Sequence, residues 1–288
     1  FDLAEHIVSA VAADVAALGN TAEIDDVILG EGLYGGGVIA RHAAITAGLR
    51  TVPGLANNRH CAAGLSAVQS AAGSIRAGMD SLILAGGVNS ASTSPKSKLR
   101  VGEDEWIDPW MPPTHPNEPD APNRDMSITV GWNSAVAAGI SREQMDAWAL
   151  RSHQKAIAAI DEGRFDDEIV PIKTPRGLFS IDEHPRRTTT AEKLAALKPL
   201  HPEIEGFSIT AGNACGANDA AALLAIASSE LGLPALATVR SWANVGVEPS
   251  QTGLSPVTAI PKALARAGLS LDDVDQIATM IAAEVEQQ

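Results

Sequence analysis

Cys61 is the residue of this chain whose type and setting best suit chemistry. An apolar run from Val52 to Ala56 reads as a strand, and Asn57-Asn58-Arg59-His60-Cys61-Ala62-Ala63-Gly64 turns it abruptly into a helix. From Cys61 onward the apolar positions Leu65, Val68, Ala72 and Ile75 recur at helical spacing. Small residues crowd the turn, so another backbone or a ligand has room to approach the sulfur. A thiol in the first turn of a helix faces uncommitted N–H groups and the positive end of the dipole, which favours the thiolate. The chemistry would be nucleophilic, with a covalent intermediate on sulfur. By placement alone, a lone Cys in an Ala-rich chain is more often a small buried hydrophobe. His60 beside it does not make a zinc site, since no second Cys/His pair follows at ligand spacing.

Two other stretches bear on chemistry. Arg186, Arg187, Lys193 and Lys198 gather within residues 185–198 of an acidic chain. Such a run is usually a solvated face, although an arginine fork also suits a phosphate bidentately. Gly86-Gly87 ahead of Val88-Asn89-Ser90 suggests a phosphate loop, but it lacks both the GxGxxG spacing and a P-loop lysine.

Composition narrows the classes. The 288 residues suffice for one large domain or two to three small ones with a real core. A formal net charge of −14 argues against non-specific nucleic-acid binding and against attraction to anionic membranes. It leaves room for a local basic pocket that takes an anionic ligand. Two widely separated cysteines, Cys61 and Cys215, suggest a reducing compartment. The sequence shows neither a bilayer-length apolar run nor a signal-peptide pattern, so a cytoplasmic location is expected.

The elements that must position Cys61 alternate between helix and strand. Residues 3–18 predict an amphipathic helix with Leu3, Ile7, Ala10, Val11, Val15 and Leu18 on one face, stopped by Gly19-Asn20. Asp25 to Leu29 reads as a buried strand, 37–48 as a helix, and Leu82 to Ala85 as an unbroken apolar strand ending in Gly86-Gly87. Apolar strands separated by helices predict a parallel sheet covered on both faces, with ligands at the carboxyl ends of strands, where Cys61 lies. Six prolines within 109–123 predict irregular chain. Ser141 with Gln144 three residues later predicts a capping box. The helix that follows is expected to bury Met145, Trp148, Ala149, Ala156, Ile157 and Ile160 and to end at Gly163. Phe207 to Thr210 reads as a strand, Ala220 to Ser228 as a helix, and 235–247 as strand-rich. Ser255 is expected to cap a further helix, with Pro256 at its first position and Gly268 closing it.

Four segments, in order, resemble one family. Asn-Arg-His-Cys-Ala-Ala-Gly-Leu-Ser-Ala-Val (58–68) is similar to the acyl-nucleophile motif of the thiolases. Residues 141–156 are similar to the helix of their loop domain, which covers coenzyme A. Arg186-x-x-x-Thr190-x-x-Lys193 is similar to the segment that contacts the CoA nucleotide. Ala-Gly-Asn-Ala-Cys-Gly-Ala-Asn-Asp (211–219) resembles Ala-Gly-Asn-Ala-Ser-Gly-x-Asn-Asp, with Cys215 replacing the serine that meets the pantetheine arm. Residues 253–256 also stand where the family has Gly-Thr-Gly-Pro.

The resemblance implies an α/β fold, the layered αβαβα arrangement of thiolases, with mixed, largely parallel sheets and an inserted loop domain. It implies a first half-domain over 1–95 completed by 207–232, a CoA-binding loop domain over 96–206, and a second half-domain beginning at 233–288. Cys61 would carry the acyl group; Arg186, Thr190, Lys193, Cys215, Met126, Asp125 and Ser255 would contact acyl-CoA. Asp125 stands where many members have a histidine that meets the substrate, and Asn89 near an acidic position; both are departures. CoA and acyl-CoA would be substrates, with no permanently bound cofactor and no metal. A homodimer or homotetramer is the family's default.

In the family, the histidine of a later Gly-His-Pro takes the nucleophile's proton, and the cysteine of a final Cys-x-Gly moves the second proton. An Asn orients a water, and here Met280 falls at its place. These 288 residues contain neither later motif, so slow turnover is expected of them alone, whether they are part of a longer thiolase or a shortened relative. The alternative is a non-catalytic thiolase-like subunit that binds CoA. A ketoacyl-synthase or lipid-transfer relative would place its nucleophile in a different local motif.

Overall fold

The computed structural model describes residues 1–19, 23–32, 38–110 and 112–277. Asn20, Gly37 and Met280, which the sequence reading uses as a helix stop, a helix start and the counterpart of the family's Asn, lie outside them. In chain order the elements are α1 (Asp2–Ala17), β1 (Asp26–Glu31), α2 (Ile39–Thr46), β2 (Gly54–Asn57), α3 (Ala63–Arg76) and β3 (Leu82–Asn89). A hairpin of β4 (Ser97–Arg100) and β5 (Trp106–Trp110) precedes α4 (Asn133–Ala138) and α5 (Arg142–Asp161). Then come the hairpin β6 (Ile172–Thr174) and β7 (Gly177–Phe179), α6 (Ala191–Ala195), β8 (Ala220–Ala227) and α7 (Ser255–Ala267). The chain divides into two compact units. The first comprises Phe1–Lys96, Val170–Phe179 and Ala217–Val239; the second comprises Ser97–Ile169, Ser180–Gly216 and Arg240–Gln288.

The first unit is a four-stranded sheet of order β2-β1-β3-β8 with helices on both faces. β1 pairs parallel with β2 and β3, through the crossovers that α2 and α3 provide, while β8 runs antiparallel to β3. The period-two alternation of strands sorts the core. Val27, Leu29, Leu82 and Leu84 pack with Ala4, Val8, Ile39 and Ala43 of α1 and α2. Ile28, Ile83 and Ala85 point the other way, onto Ala67 and Ala71 of α3. Each fully buried Leu, Ile or Val contributes about 2 kcal/mol by leaving water.

Several expectations give way here. Ala220 to Ser228 reads as a helix in sequence but forms β8, in register with the whole of β3 from Leu82↔Ala227 to Asn89↔Ala220. A run of eight apolar residues has no period to tell helix from strand. Backbone approach decides it: a Cβ on Gly86 would lie 2.0 Å from the Ala222 carbonyl oxygen. The stripe on α3 is also displaced. Leu65 is 52% exposed, and the buried face is made by Ala63, Ser66, Ala67, Ala71 and Ala72, whose short side chains let the helix lie close to the sheet. On α1, Ala4, Val8 and Val15 are buried, while Leu18 is the exposed C-cap.

In the second unit, Ser141 caps α5 with the expected box: its hydroxyl accepts from the Gln144 N–H, and the Gln144 side chain accepts from the Ser141 N–H at 2.8 Å. α5 buries Asp146, Ala149, Ser152 and Ala156. Trp148, expected inside, is 45% exposed and carries Arg151 over its ring at 4.0 Å. The Pro-rich stretch is irregular only past β5, whose Pro109 sits in a two-stranded ribbon where a missing N–H costs no central ladder bond. Phe207 to Thr210 is buried but makes one bridge in place of a strand, Leu200 N–H to the Ile209 carbonyl at 2.9 Å. Residues 235–247 form no strand. Ser255 is the first residue of α7 rather than its cap; Leu254 takes that place, at the end of a 3₁₀ turn over Pro249–Leu254.

Candidate active site

Cys61 follows the carboxyl end of β2 and lies one residue ahead of Ala62, the N-cap of α3. It therefore precedes the first turn in which the sequence reading put it. The turn is tight: the Ala62 N–H donates to the Arg59 carbonyl at 3.1 Å and the Ala63 N–H to the His60 carbonyl at 2.9 Å. His60 adopts φ 48°, a left-handed conformation that costs a non-glycine residue energy. Asn58 supports it by accepting from the His60 N–H at 2.8 Å, and Arg59 ties the turn to Ser66 Oγ at 3.1 Å. The thiol is exposed and outside any disulfide, so the small-hydrophobe reading does not describe it.

Glycines set the depth of that turn. Gly30 and Gly87 pair across β1 and β3, and both lie beneath the start of α3. A Cβ on Gly30 would sit 2.3 Å from the Ala63 carbonyl carbon, and one on Gly87 would sit 3.1 Å from Gly64 Cα. Only bare backbone allows α3 to settle there with its preceding turn at the sheet end. Past Gly87, β3 runs on to Asn89, and a polar knot closes that end of the unit. Asp219 accepts from the Ser92 N–H at 2.9 Å, from the Ser92 hydroxyl and from the Ser90 hydroxyl at 3.2 Å. The Ser92 bonds hold the Asp219 carboxyl below the usual carboxylate range. Asn89 donates to the Asn218 carbonyl at 3.4 Å, while its buried Oδ1 has no partner among the described residues.

The remaining candidates belong to the second unit. Thr190 caps α6 by accepting from the Lys193 N–H, and Lys193 Nζ donates to the Thr188 carbonyl at 2.6 Å. Arg187 is engaged with Asp161 through two guanidinium bonds of 2.8 and 2.6 Å, whereas the Arg186 guanidinium is exposed beside His153. Burial first, then His184 and Arg186, push His153 below the ordinary imidazole value. Cys215 is exposed at the end of a loop that Asn213 anchors. The Asn213 amide donates to Asp146 Oδ1 at 3.0 Å and to the Ser208 carbonyl at 3.1 Å, and its oxygen accepts from the Thr210 N–H at 2.8 Å. Arg142 holds the other Asp146 oxygen at 2.7 Å. α6 rests on Gly212, where a Cβ would meet Leu197 and Leu194 within 2.6 Å.

Met126 is 43% exposed at the start of a π-helical turn, Ser127–Trp132. That turn packs on the chain leading to Ser255, since a Cβ on Gly253 would fall 2.8 Å from the Val130 carbonyl. Asp125 ends in a cluster that the sequence reading missed. Its Oδ2 lies 2.8 Å from His201 Nε2, and His201 Nδ1 lies 2.8 Å from Glu203 Oε1. Desolvation raises Asp125, but the Ser127 hydroxyl and His201 outweigh it, so its pKa is lowered. Glu203 and then, against some desolvation, Asp125 raise that of His201. Only Glu203, two residues on, gave a local signal for His201. Trp132 packs on Phe207 at 5.2 Å, while Trp106 is exposed.

Known proteins match along most of the chain. Residues 1–230 match the family described as "Thiolase, N-terminal domain" and 233–284 that described as "Thiolase, C-terminal domain". The chain is 42% identical over 274 residues to the acetyl-CoA acetyltransferase of Pseudomonas aeruginosa, covering 88% of this chain and 68% of the relative. It is 39% identical over 281 residues to an acetyl-CoA acetyltransferase of Escherichia coli, with the same coverage of each. Among solved structures, the Bacillus anthracis acetyl-CoA acetyltransferase superposes with a TM-score of 0.79 at 33% identity, over 98% of this chain and 76% of that one.

Proposed function

This chain belongs to the thiolase family, and on that premise we propose that Cys61 is the nucleophile that carries the acyl group. The activity is thiolase-type acyl transfer between a cysteine thiolate and coenzyme A. Acyl-CoA and CoA are its substrates. In the transfer, Cys61 Sγ attacks the acyl carbonyl carbon and a new carbon–sulfur bond forms. The CoA thiolate, or the acetyl-CoA enolate when the substrate is a 3-ketoacyl-CoA, then leaves and takes up a proton. A CoA thiolate reverses the step on the acyl-cysteine. The observation that carries the assignment is an exposed thiol in a strained, glycine-seated turn between β2 and α3.

Arg186, Thr190 and Lys193 are proposed contacts for the CoA nucleotide, and Cys215, Met126, Asp125 and Ser255 for the pantetheine arm and acyl group. Thr190 and Lys193 already hold each other and the Thr188 carbonyl, while the exposed Arg186 fork is presented for a phosphate. Residues 96–206 are proposed as the loop domain over CoA, between a first half-domain and the start of a second. The same reading extends to fatty-acid and lipid metabolism in the cytoplasm, by a homodimer or homotetramer without a permanently bound cofactor. The two distant cysteines support the cytoplasmic part of that reading. No helix among the described residues is long and apolar enough to cross a membrane.

Intact-mass spectrometry after incubation with acetyl-CoA or acetoacetyl-CoA tests the assignment. One acetyl adduct mapped to Cys61, and lost in Cys61→Ser, is the expected result. CoA binding without any adduct would instead favour a non-catalytic CoA-binding subunit.

A further inference from the structure

Both nitrogens of His201 face carboxylates: Nε2 meets Asp125 Oδ2 and Nδ1 meets Glu203 Oε1, each at 2.8 Å. Ionised carboxylates only accept hydrogen bonds, so both contacts are satisfied only when both nitrogens carry hydrogen, which makes the ring an imidazolium. With no nitrogen left over, His201 is not placed for proton transfer to a ligand. Its role is charge.

We propose that His201 is a positioning residue for acyl-CoA: bridging Asp125 and Glu203 as an imidazolium, it cancels the Asp125 charge where the polyanionic thioester binds. This rests on the assignment of Asp125 to the acyl-CoA pocket. The difficulty it answers is plain from the sequence, since a bare carboxylate beside phosphates and a thioester would repel the ligand. Asp125 is locked in the arrangement. Its Oδ1 accepts from the Ser127 N–H at 3.1 Å and hydroxyl at 2.6 Å, leaving Oδ2 for His201. The ring is held as well, edge-on to Phe207 at 4.9 Å, with Trp132 behind Phe207. The titratable groups that face it are Asp125, ahead of the π-helical turn, and Glu203 on its own segment; Phe207 and Trp132 bring no charge. Its raised pKa agrees with this enclosure. When the ring loses its proton the cluster passes from one negative charge to two, and affinity for CoA falls.

Calorimetric titration of CoA between about pH 6 and pH 9 tests this in the wild type, His201→Gln, Asp125→Asn and the double variant. The expected wild-type affinity falls about fivefold as pH rises, the size of one added charge a few ångströms away in a watery site. H201Q binds weakly at every pH and loses the fall, D125N binds more tightly than wild type with its fall moved to lower pH, and the double variant recovers the affinity that H201Q lost. The phosphate of CoA titrates alike in all four, so only differences between profiles count. Parallel profiles in wild type and H201Q, or an H201Q variant that binds as tightly as wild type, would overturn the role. A folded but loosened structure would weaken binding equally at all pH values and would not be rescued by D125N. If H201Q does not fold, the D125N profile decides alone, and a fall at the wild-type pH with wild-type affinity would overturn the role. Parallel profiles beside a normal acetyl adduct on Cys61 would overturn this role and leave the acyl-transfer reading standing. Absence of CoA binding at every pH would overturn both.

Discussion

The turn that carries Cys61 and the cluster around Asp125 are fixed by opposite means. Around Cys61 the seat is backbone on backbone, with Asn58 and Arg59 adding side-chain bonds within the turn: Gly30 and Gly87 admit the start of α3, Gly86 admits β8, and apolar layers close both faces of the sheet. Around Asp125, Asn213 and Arg186 the positions are set by side-chain hydrogen bonds and ion pairs, among them His201–Asp125 and Arg142–Asp146. Backbone packing leaves no slack and is indifferent to pH. A charged network can be tuned one proton at a time. The nucleophile thus has a rigid seat, while the groups proposed to meet a charged ligand are adjustable.

The sharpest test of the rigid region is removal of its one reactive atom. Cys61→Ser or Cys61→Ala is expected to abolish the acetyl adduct and to cut any turnover on the order of 10⁴-fold or more, as loss of a nucleophile does. Thermal melting should hardly change, because the side chain is exposed. An adduct that persisted on Cys215 would break the contrast, since chemistry would then sit in the adjustable region.

Gly30→Val should come next. Its Cβ falls 2.3 Å from backbone of Ala63, which cannot rotate away, so either β1 or α3 must shift. Overpacking of this kind costs about 3 kcal/mol or more. Chemical denaturation should show that loss, and acylation of Cys61 should fall in whatever folds. If stability held within about 0.5 kcal/mol, surface-like behaviour, the rigid-seat account would fail.

What could be read from sequence follows the same division. Local patterns were legible: Ser141 and Gln144 announce their capping box, and the Cys61 turn stands out by its strand, its small residues and its helix. Patterns without a period were not. Ala220–Ala227 offers eight apolar residues to helix or strand alike, and its pairing along β3, which Gly86 admits, is settled far away in sequence. The Phe207–Thr210 run signals burial, which the structure provides, but not the absence of a second strand to pair with. Asp125 and His201 lie on separate segments with no spacing to connect them, so their pairing is a product of tertiary structure.

In the adjustable region the largest expected loss is at Asn213. Asn213→Ala leaves Asp146 Oδ1, the Ser208 carbonyl and the Thr210 N–H each short of a partner in a largely buried place. That costs about 2 to 3 kcal/mol, and the loop bearing Cys215 should gain hydrogen-exchange rate ahead of α5. Global unfolding without that local change would place Asn213 in the core rather than in the network.

The pH dependence of stability follows from the directions of the two shifts. His201 has a folded value above its ordinary 6.5, so its stabilising contribution is complete below 6.5 and is lost as pH rises through the raised value. Asp125 is depressed below its ordinary 3.8, so its contribution is complete above 3.8 and is lost as pH falls through the lowered value. The pair therefore supports the second unit most between those limits. Melting temperature in the wild type should drop on the alkaline side relative to His201→Gln. Identical alkaline slopes in the two proteins would remove His201 as the cause.

The smallest expected effect separates helix formation from both kinds of positioning. Ser141→Ala removes the hydroxyl that accepts from Gln144 N–H, at an exposed helix start. The Gln144 side chain can still accept from the backbone N–H at position 141, so only half of the box is lost. Such caps contribute about 1 kcal/mol, and neither of its two side-chain bonds involves Asp146, Arg142 or His153. Its cost should therefore appear in denaturation midpoint alone, with CoA affinity and the Cys61 adduct unchanged. A larger loss, or one that altered CoA binding, would mean that the fraying of the first turn of α5 reaches Arg142. Arg142 also donates to the Leu194 and Leu197 carbonyls at 2.7 and 3.1 Å. The hydrogen-bonded network would then be as intolerant of small displacement as the glycine-seated turn, and the two regions would differ in chemistry but not in rigidity.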